Sequence, residues 1–83
     1  MSTKIYVGNL SYKLKRSELM DFFAEYGEVT DASIIIDRET KRSKGFGFVT
    51  FATSNDADDA IRGGHGTMLD GRALKVDKAT ERA

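Results

Sequence analysis

The sequence predicts an α+β fold of element order βαββαβ, in which two helices lie over one face of a four-stranded antiparallel sheet. Three observations carry this. Residues 4–10 and 45–52 are dense in β-branched and aromatic types; residues 14–26 carry apolar side chains at helical spacing; and a polar segment, Asp37 to Lys44, joins two strand-like runs as a long hairpin.

Residues 4–10 form a first strand that stops at a Gly-Asn break. From Leu14 to Tyr26, Leu19, Phe22, Phe23 and Tyr26 fall at i, i+3, i+4 and i+7, one stripe of an amphipathic helix, with Gly27 as its stop. Lys15 stands where the helix is capped. It neither satisfies the free amides nor suits the positive end of the dipole, so a frayed first turn is expected. Val29 to Ile36 reads as the second strand and Gly45 to Ala52 as the third. Ser54 offers a cap for a second helix with Ala57, Ala60 and Ile61 at helical spacing, ended by the glycines at 63, 64 and 66. Asp70-Gly71 then turns the chain into a last strand from about Arg72 to Lys78.

With 83 residues there is room for one core, so a single domain over residues 1–83 is expected, its core at about 3–80. Absence of cysteine excludes disulfides and thiolate metal sites and favours an intracellular setting, cytoplasmic rather than nuclear. The longest apolar run, Ile34 to Ile36, falls far short of the roughly 20 residues that cross a bilayer. Met1-Ser2-Thr3-Lys4 has no apolar signal segment, and a soluble monomer without a membrane partner is expected.

Two packed helices span roughly 18 to 20 Å, and four strands about 4.8 Å apart cover nearly the same width. The helices therefore cover one face, and the side chains alternating onto the other meet water or a partner. In the third strand, Phe46, Phe48 and Thr50 alternate with Gly45, Gly47, Val49 and Phe51. Pairing Ile5 with Val7 in the core turns Tyr6 outward beside Lys4 and Gly8. Rings in a small domain are ordinarily core. Here the core already receives Phe22, Phe23, Tyr26 and Phe51, and covering Phe46 and Phe48 would need a further helical layer that the chain lacks. Exposed rings cost solubility, which points to a surface on which flat groups stack.

Ile5-Tyr6-Val7-Gly8-Asn9-Leu10 and Lys44-Gly45-Phe46-Gly47-Phe48-Val49-Thr50-Phe51 resemble the hexapeptide and octapeptide signatures of the RNA recognition motif, the second at every position. The whole chain resembles the small single-domain RNA-binding proteins of that family without their glycine-rich tail. The resemblance implies a ferredoxin-like sandwich with strand order 4-1-3-2. It implies that Tyr6 and Phe48 each stack on one base of a single-stranded RNA, that Phe46 packs against the sugars, and that Lys44 pairs with a phosphate. It places Ser33 and Ile35 of the second strand, Lys75 and Asp77 of the fourth, and Asn9 beside these rings. Main-chain groups of Lys78 to Thr80 would read base edges. Single-stranded DNA is admissible too, because stacking does not need the 2′-hydroxyl. Two residues depart from the family pattern. Gly64 replaces a large apolar residue, so the corner between Arg62 and Thr67 is expected to be loose, with room for a side chain. His65 replaces an asparagine and reads as a solvated loop residue.

The formal net charge is zero, but its distribution is uneven. Arg38, Lys41, Arg42 and Lys44 give the 38–44 segment a local +3, and residues 72–82 carry +2. Residues 17–31 carry −5 and residues 55–61 carry −3, mainly along the two helices. The basic segments adjoin the proposed face, where Arg38, Lys41 and Arg42 are expected to meet phosphates. Other chemistries are weaker. Gly45 to Thr50 lacks the third glycine and the following helix of a nucleotide-binding loop. His65, alone and without cysteine, suits neither a metal site nor a Ser-His-Asp site, and no carboxylate pair marks a cleft, so neither catalysis nor a cofactor is expected. The surviving alternative is a protein-interaction module of the same fold.

Overall fold

A computed structural model describes residues 3–79. Strands β1 (Lys4–Gly8), β2 (Val29–Ile36), β3 (Ser43–Phe51) and β6 (Lys75–Lys78) form one antiparallel sheet in the order β2-β3-β1-β6. Helices α1 (Arg16–Phe23) and α2 (Ser54–Gly64) cover one of its faces. A separate hairpin, β4 (Met68–Leu69) and β5 (Arg72–Ala73), lies between α2 and β6. With β6 as the fourth strand of the large sheet, this is the 4-1-3-2 order that the resemblance implied.

The core lies between helices and sheet. Ile5, Val7, Val49, Phe51 and Val76 from the strands meet Leu19, Phe23, Ala57 and Ala60 from the helices, all buried. Leu19 and Phe23 form the centre of the α1 stripe, while Phe22 and Tyr26 pack at its margin. No helix among the described residues is long and apolar enough to cross a membrane.

Several boundaries differ from the sequence reading for identifiable reasons. β1 stops at Gly8, because Asn9 adopts φ 61 and breaks the strand. The first turn of α1 is held, not frayed: the Glu18 carboxylate accepts from the Lys15 amide at 2.9 Å. The Arg16 guanidinium adds to this, donating to the Ala32 carbonyl at 2.6 Å and to Asp31 at 3.3 Å. The α-helix closes at Phe23 and tightens into a 3₁₀ turn over Ala24–Tyr26. In α2 the cap is Thr53, one residue earlier than Ser54; its hydroxyl accepts from the Asp56 amide at 3.2 Å.

The last third of the chain departs most. Asp70 and Gly71 both take positive φ, 54° and 81°, the geometry of a two-residue hairpin turn, so they fold Arg72-Ala73 back onto Met68-Leu69. Leu74 then enters the core, and only Lys75–Lys78 joins the large sheet. The α2 helix continues through Gly63 and Gly64 and ends at His65. The corner beyond it is neither loose nor empty. Gly64 is buried, and a Cβ there would stand 3.1 Å from the Phe23 ring and 3.6 Å from Val76. The Gly64 carbonyl accepts from the Thr67 amide at 3.1 Å, and Gly66 and Leu74 donate to Leu74 and Thr67 carbonyls at 2.8 Å each. His65 is not merely solvated: its Nδ1 accepts from the Val76 amide at 3.1 Å.

Since Phe23 already fills the space that a larger residue would take, Gly64→Leu should overpack this corner and destabilise the fold by about 1 to 3 kcal/mol. Thermal melts of variant and parent check this; a raised melting temperature would mean that the corner holds unused volume.

Candidate nucleic-acid interface

The pairing of β1 with β3 sets Tyr6 opposite Phe48, Gly8 opposite Phe46, and Val7 opposite Gly47. Side chains alternate across strands, so with Val7 and Val49 buried beneath the helices the three rings emerge together on the opposite face. Their centroids form a near-equilateral triangle: Tyr6 to Phe46 5.8 Å, Tyr6 to Phe48 6.1 Å and Phe46 to Phe48 6.2 Å. All three are half-buried, in contrast to Phe51 and Phe23 on the helix side, which are fully enclosed. Gly8 permits the Tyr6 ring to lie along its strand, since a Cβ at Gly8 would stand 2.9 Å from ring carbons. The Lys4 ammonium lies 4.9 Å from the Phe48 centroid.

The flanking positions group around this triangle. Ser33 is opposite Phe48 on one side, and Ile35 follows it, alternating with core-facing Ile34 in the bulge that precedes Ile36. Asp77 is opposite Tyr6 on the other side, and Lys75 is opposite Gly8. Lys44 alternates onto the ring face at the start of β3 and lines clefts on both sides of Phe46. Lys78 is opposite Ile5, so its side chain does not share the ring face, and its amide donates to the Asp77 carboxylate at 2.7 Å. Thr80 and Arg82 lie outside the described residues.

Asn9 reaches the edge of the face already engaged at both ends of its amide. Its Nδ2 donates to the Ala73 carbonyl at 2.7 Å, and its Oδ1 accepts from Arg72 Nη2 at 2.8 Å. This ties the β4-β5 hairpin to the end of β1 and sets Arg72 in a cleft with Tyr6 and Lys75. Arg72 as an individual contributor was missed in the sequence, where it counted only towards a local charge, because nothing there showed that Asn9 would hold it. Tyr12 lines the clefts on both sides of Phe46 and was not singled out in the sequence, where a lone aromatic in a polar connection was its only signal.

The basic loop between β2 and β3 has a defined shape organised by Asp37. The Asp37 carboxylate accepts from the Glu39 and Thr40 amides at 2.8 and 3.3 Å, while its main chain bonds to Lys41 and Arg42. The amides of Glu39 and then Thr40, with a smaller contribution from the charge of Lys44, hold this carboxyl below its usual range. Lys41 takes φ 63 at the tip. Of the loop cations, Arg42 lines a cleft of about 570 Å3 together with Lys44 and Phe46, whereas Arg38 and Lys41 do not line it.

Residues 5–75 match the family model of the RNA recognition motif. The chain is 48% identical over 83 residues to "Glycine-rich RNA-binding protein 4, mitochondrial" of Arabidopsis thaliana, covering 100% of this chain and 61% of that protein. It is 47% identical over 81 residues to the "28 kDa ribonucleoprotein, chloroplastic" of Spinacia oleracea, covering 98% of this chain and 35% of that protein. The chain thus spans at most about three-fifths of either relative. Among solved structures it is similar to RNA Binding Protein PG1, with a TM-score of 0.91 and 46% identity over 99% of both chains. It also resembles the Rna15 RRM with bound RNA (GU), with a TM-score of 0.86 and 27% identity over 98% of this chain and 86% of that one. Agreement of this extent reaches from the first signature strand to the start of the last, and the chain belongs to the RNA recognition motif family.

Proposed function

We propose that this chain binds single-stranded RNA by stacking bases on Tyr6 and Phe48, with Phe46 against the sugars. The observation that carries the reading is the triangle of three half-buried rings on the sheet face that no helix among the described residues covers. The solved Rna15 RRM with bound RNA and the Sex-lethal protein/RNA complex, similar in fold with TM-scores of 0.86 and 0.91, support it. Lys44, Arg42 and Lys75 supply phosphate contacts around the rings, and Ser33 and Asp77 offer hydroxyl and carboxylate groups to base edges. Single-stranded DNA fits the same stacking chemistry.

Lys4 does not block this. A cation over an exposed ring is worth about 0.5 to 1 kcal/mol, whereas a stacked base is worth about 1 to 3 kcal/mol, so a base displaces the ammonium from Phe48.

Phe48→Ala should weaken RNA binding by about 1 to 3 kcal/mol with little change in stability, since no core cavity opens. Phe51→Ala should instead destabilise by about 3 to 5 kcal/mol, because it empties a buried site. Oligonucleotide titration and thermal melting of both variants separate the roles; a larger stability loss for Phe48→Ala would refute the stacking assignment.

Three or four phosphate contacts, each contributing a slope of about −0.7 on a single strand, predict that log affinity falls against log salt with a slope near −2 to −3. Lys44→Ala should lower affinity across RNA sequences and flatten that slope by about 0.7. Titrations at several salt concentrations check this, and an unchanged slope removes Lys44 from the phosphate contacts.

A further inference from the structure

The connection between β1 and α1 carries a ring that neither the core nor the triangle uses. Tyr12 is 67% exposed, and its hydroxyl makes no hydrogen bond to any described residue. An exposed ring on a polar connection is ordinarily mobile and incidental. This one has a seat. Gly45 takes φ 84, and a Cβ there would stand 3.3 Å from Tyr12 Cε1, so the missing side chain lets the phenol rest against the β3 backbone. The Leu10 amide donates to the Gly45 carbonyl at 2.8 Å, fixing the seat to the segment that carries the ring.

The surroundings point to what the ring takes. Tyr12, Lys44 and Phe46 are shared by two clefts. The first, about 570 Å3, adds Arg42, Thr40, Ser43 and Asp37, whose carboxylate is engaged by the Glu39 and Thr40 amides; the second, about 480 Å3, adds Arg72 and Lys75. Arg42 and Lys75 form no salt bridge with any described residue, and Arg72 is held in place through the Asn9 oxygen. A flat apolar face flanked on both sides by cations matches one nucleotide: base on the ring, phosphodiester on either side. A peptide segment would be served by apolar pockets in place of this rim.

The geometry points to Tyr12 as a further stacking platform, which extends the RNA path by one nucleotide beyond the Tyr6-Phe46-Phe48 triangle. The assignment rests on the RNA-binding reading above. It makes Tyr12 a determinant of how long a strand is gripped, separate from the residues that grip its centre. Arg42 and Lys44 on one side and Arg72 and Lys75 on the other hold the phosphates that bracket the added base.

The test uses random-sequence RNA of four and of eight nucleotides, titrated against the parent, Tyr12→Ala, Tyr12→Phe and Tyr12→Leu, with melting temperatures for all four. The parent should bind the octanucleotide more tightly. Tyr12→Ala should lose about ten-fold on the octanucleotide and stay within two-fold on the tetranucleotide, at an unchanged melting temperature. Tyr12→Phe should match the parent, and Tyr12→Leu should resemble Tyr12→Ala, since it covers Gly45 but offers no flat face. An octanucleotide affinity unaffected by Tyr12→Ala overturns the platform while leaving the central triangle standing. Equal losses on both lengths overturn it as a separate subsite, and full affinity in Tyr12→Leu reduces it to packing. A parent that binds neither RNA fails the functional reading itself, along with this extension of it.

Discussion

The antiparallel register between β1 and β3 determines the character of both faces of this molecule. With Tyr6 opposite Phe48 and Val7 opposite Gly47, every apolar aliphatic of the two central strands turns towards the helices and every ring of the triangle turns away. A slip of one residue would exchange the faces, sending Tyr6 under Phe23 and exposing Val7, at a cost the core could not absorb. The flanking strands inherit this order. Ser33 and Asp77 reach the rings because β2 and β6 pair with β3 and β1 in the same phase.

Segregation also governs the charges. A net charge of zero would leave a polyanion indifferent at long range, but the acids cluster along the helices while Arg42, Lys44, Arg72 and Lys75 stand around the rings. Acids are present on the basic side too: Glu39 in the loop, Asp77 opposite Tyr6, and Asp37, whose ionised carboxylate is bound by two loop amides and so shapes the loop that presents Arg42.

Much of this was legible in the sequence because it depends on local periodicity. Alternation in residues 45–51 and the helical stripe of Leu19, Phe22, Phe23 and Tyr26 fix which side chains share a face without knowledge of what lies opposite. What was not legible depends on contacts between distant residues. Gly64 looked like a vacancy because a missing side chain is visible in sequence, whereas the Phe23 ring that fills its place, 41 positions earlier, is not. Asn9 was placed by resemblance at the edge of the ring face, and that its amide also bridges Ala73 and Arg72, more than sixty residues away, is not visible in the sequence. The turn at Asp70-Gly71 was recognised, but the alternation after it continues so regularly that a single strand was read where Leu74 divides two.

The hydrogen bond between His65 and Val76 bears on how these molecules behave in company. β6 is the outermost strand beyond β1, and the Ala79 amide donates inward to the Lys4 carbonyl, so by antiparallel alternation the amides of Val76 and Lys78 face outward. An unpaired strand rim of that kind is a template onto which another chain can add a strand. Both outward donors are already taken, Val76 by the His65 imidazole and Lys78 by the Asp77 carboxylate. Along the rim nearest Tyr6 these two strand donors are thereby spent within the molecule, and crowded copies meet there a boundary that offers acceptors without their matching donors.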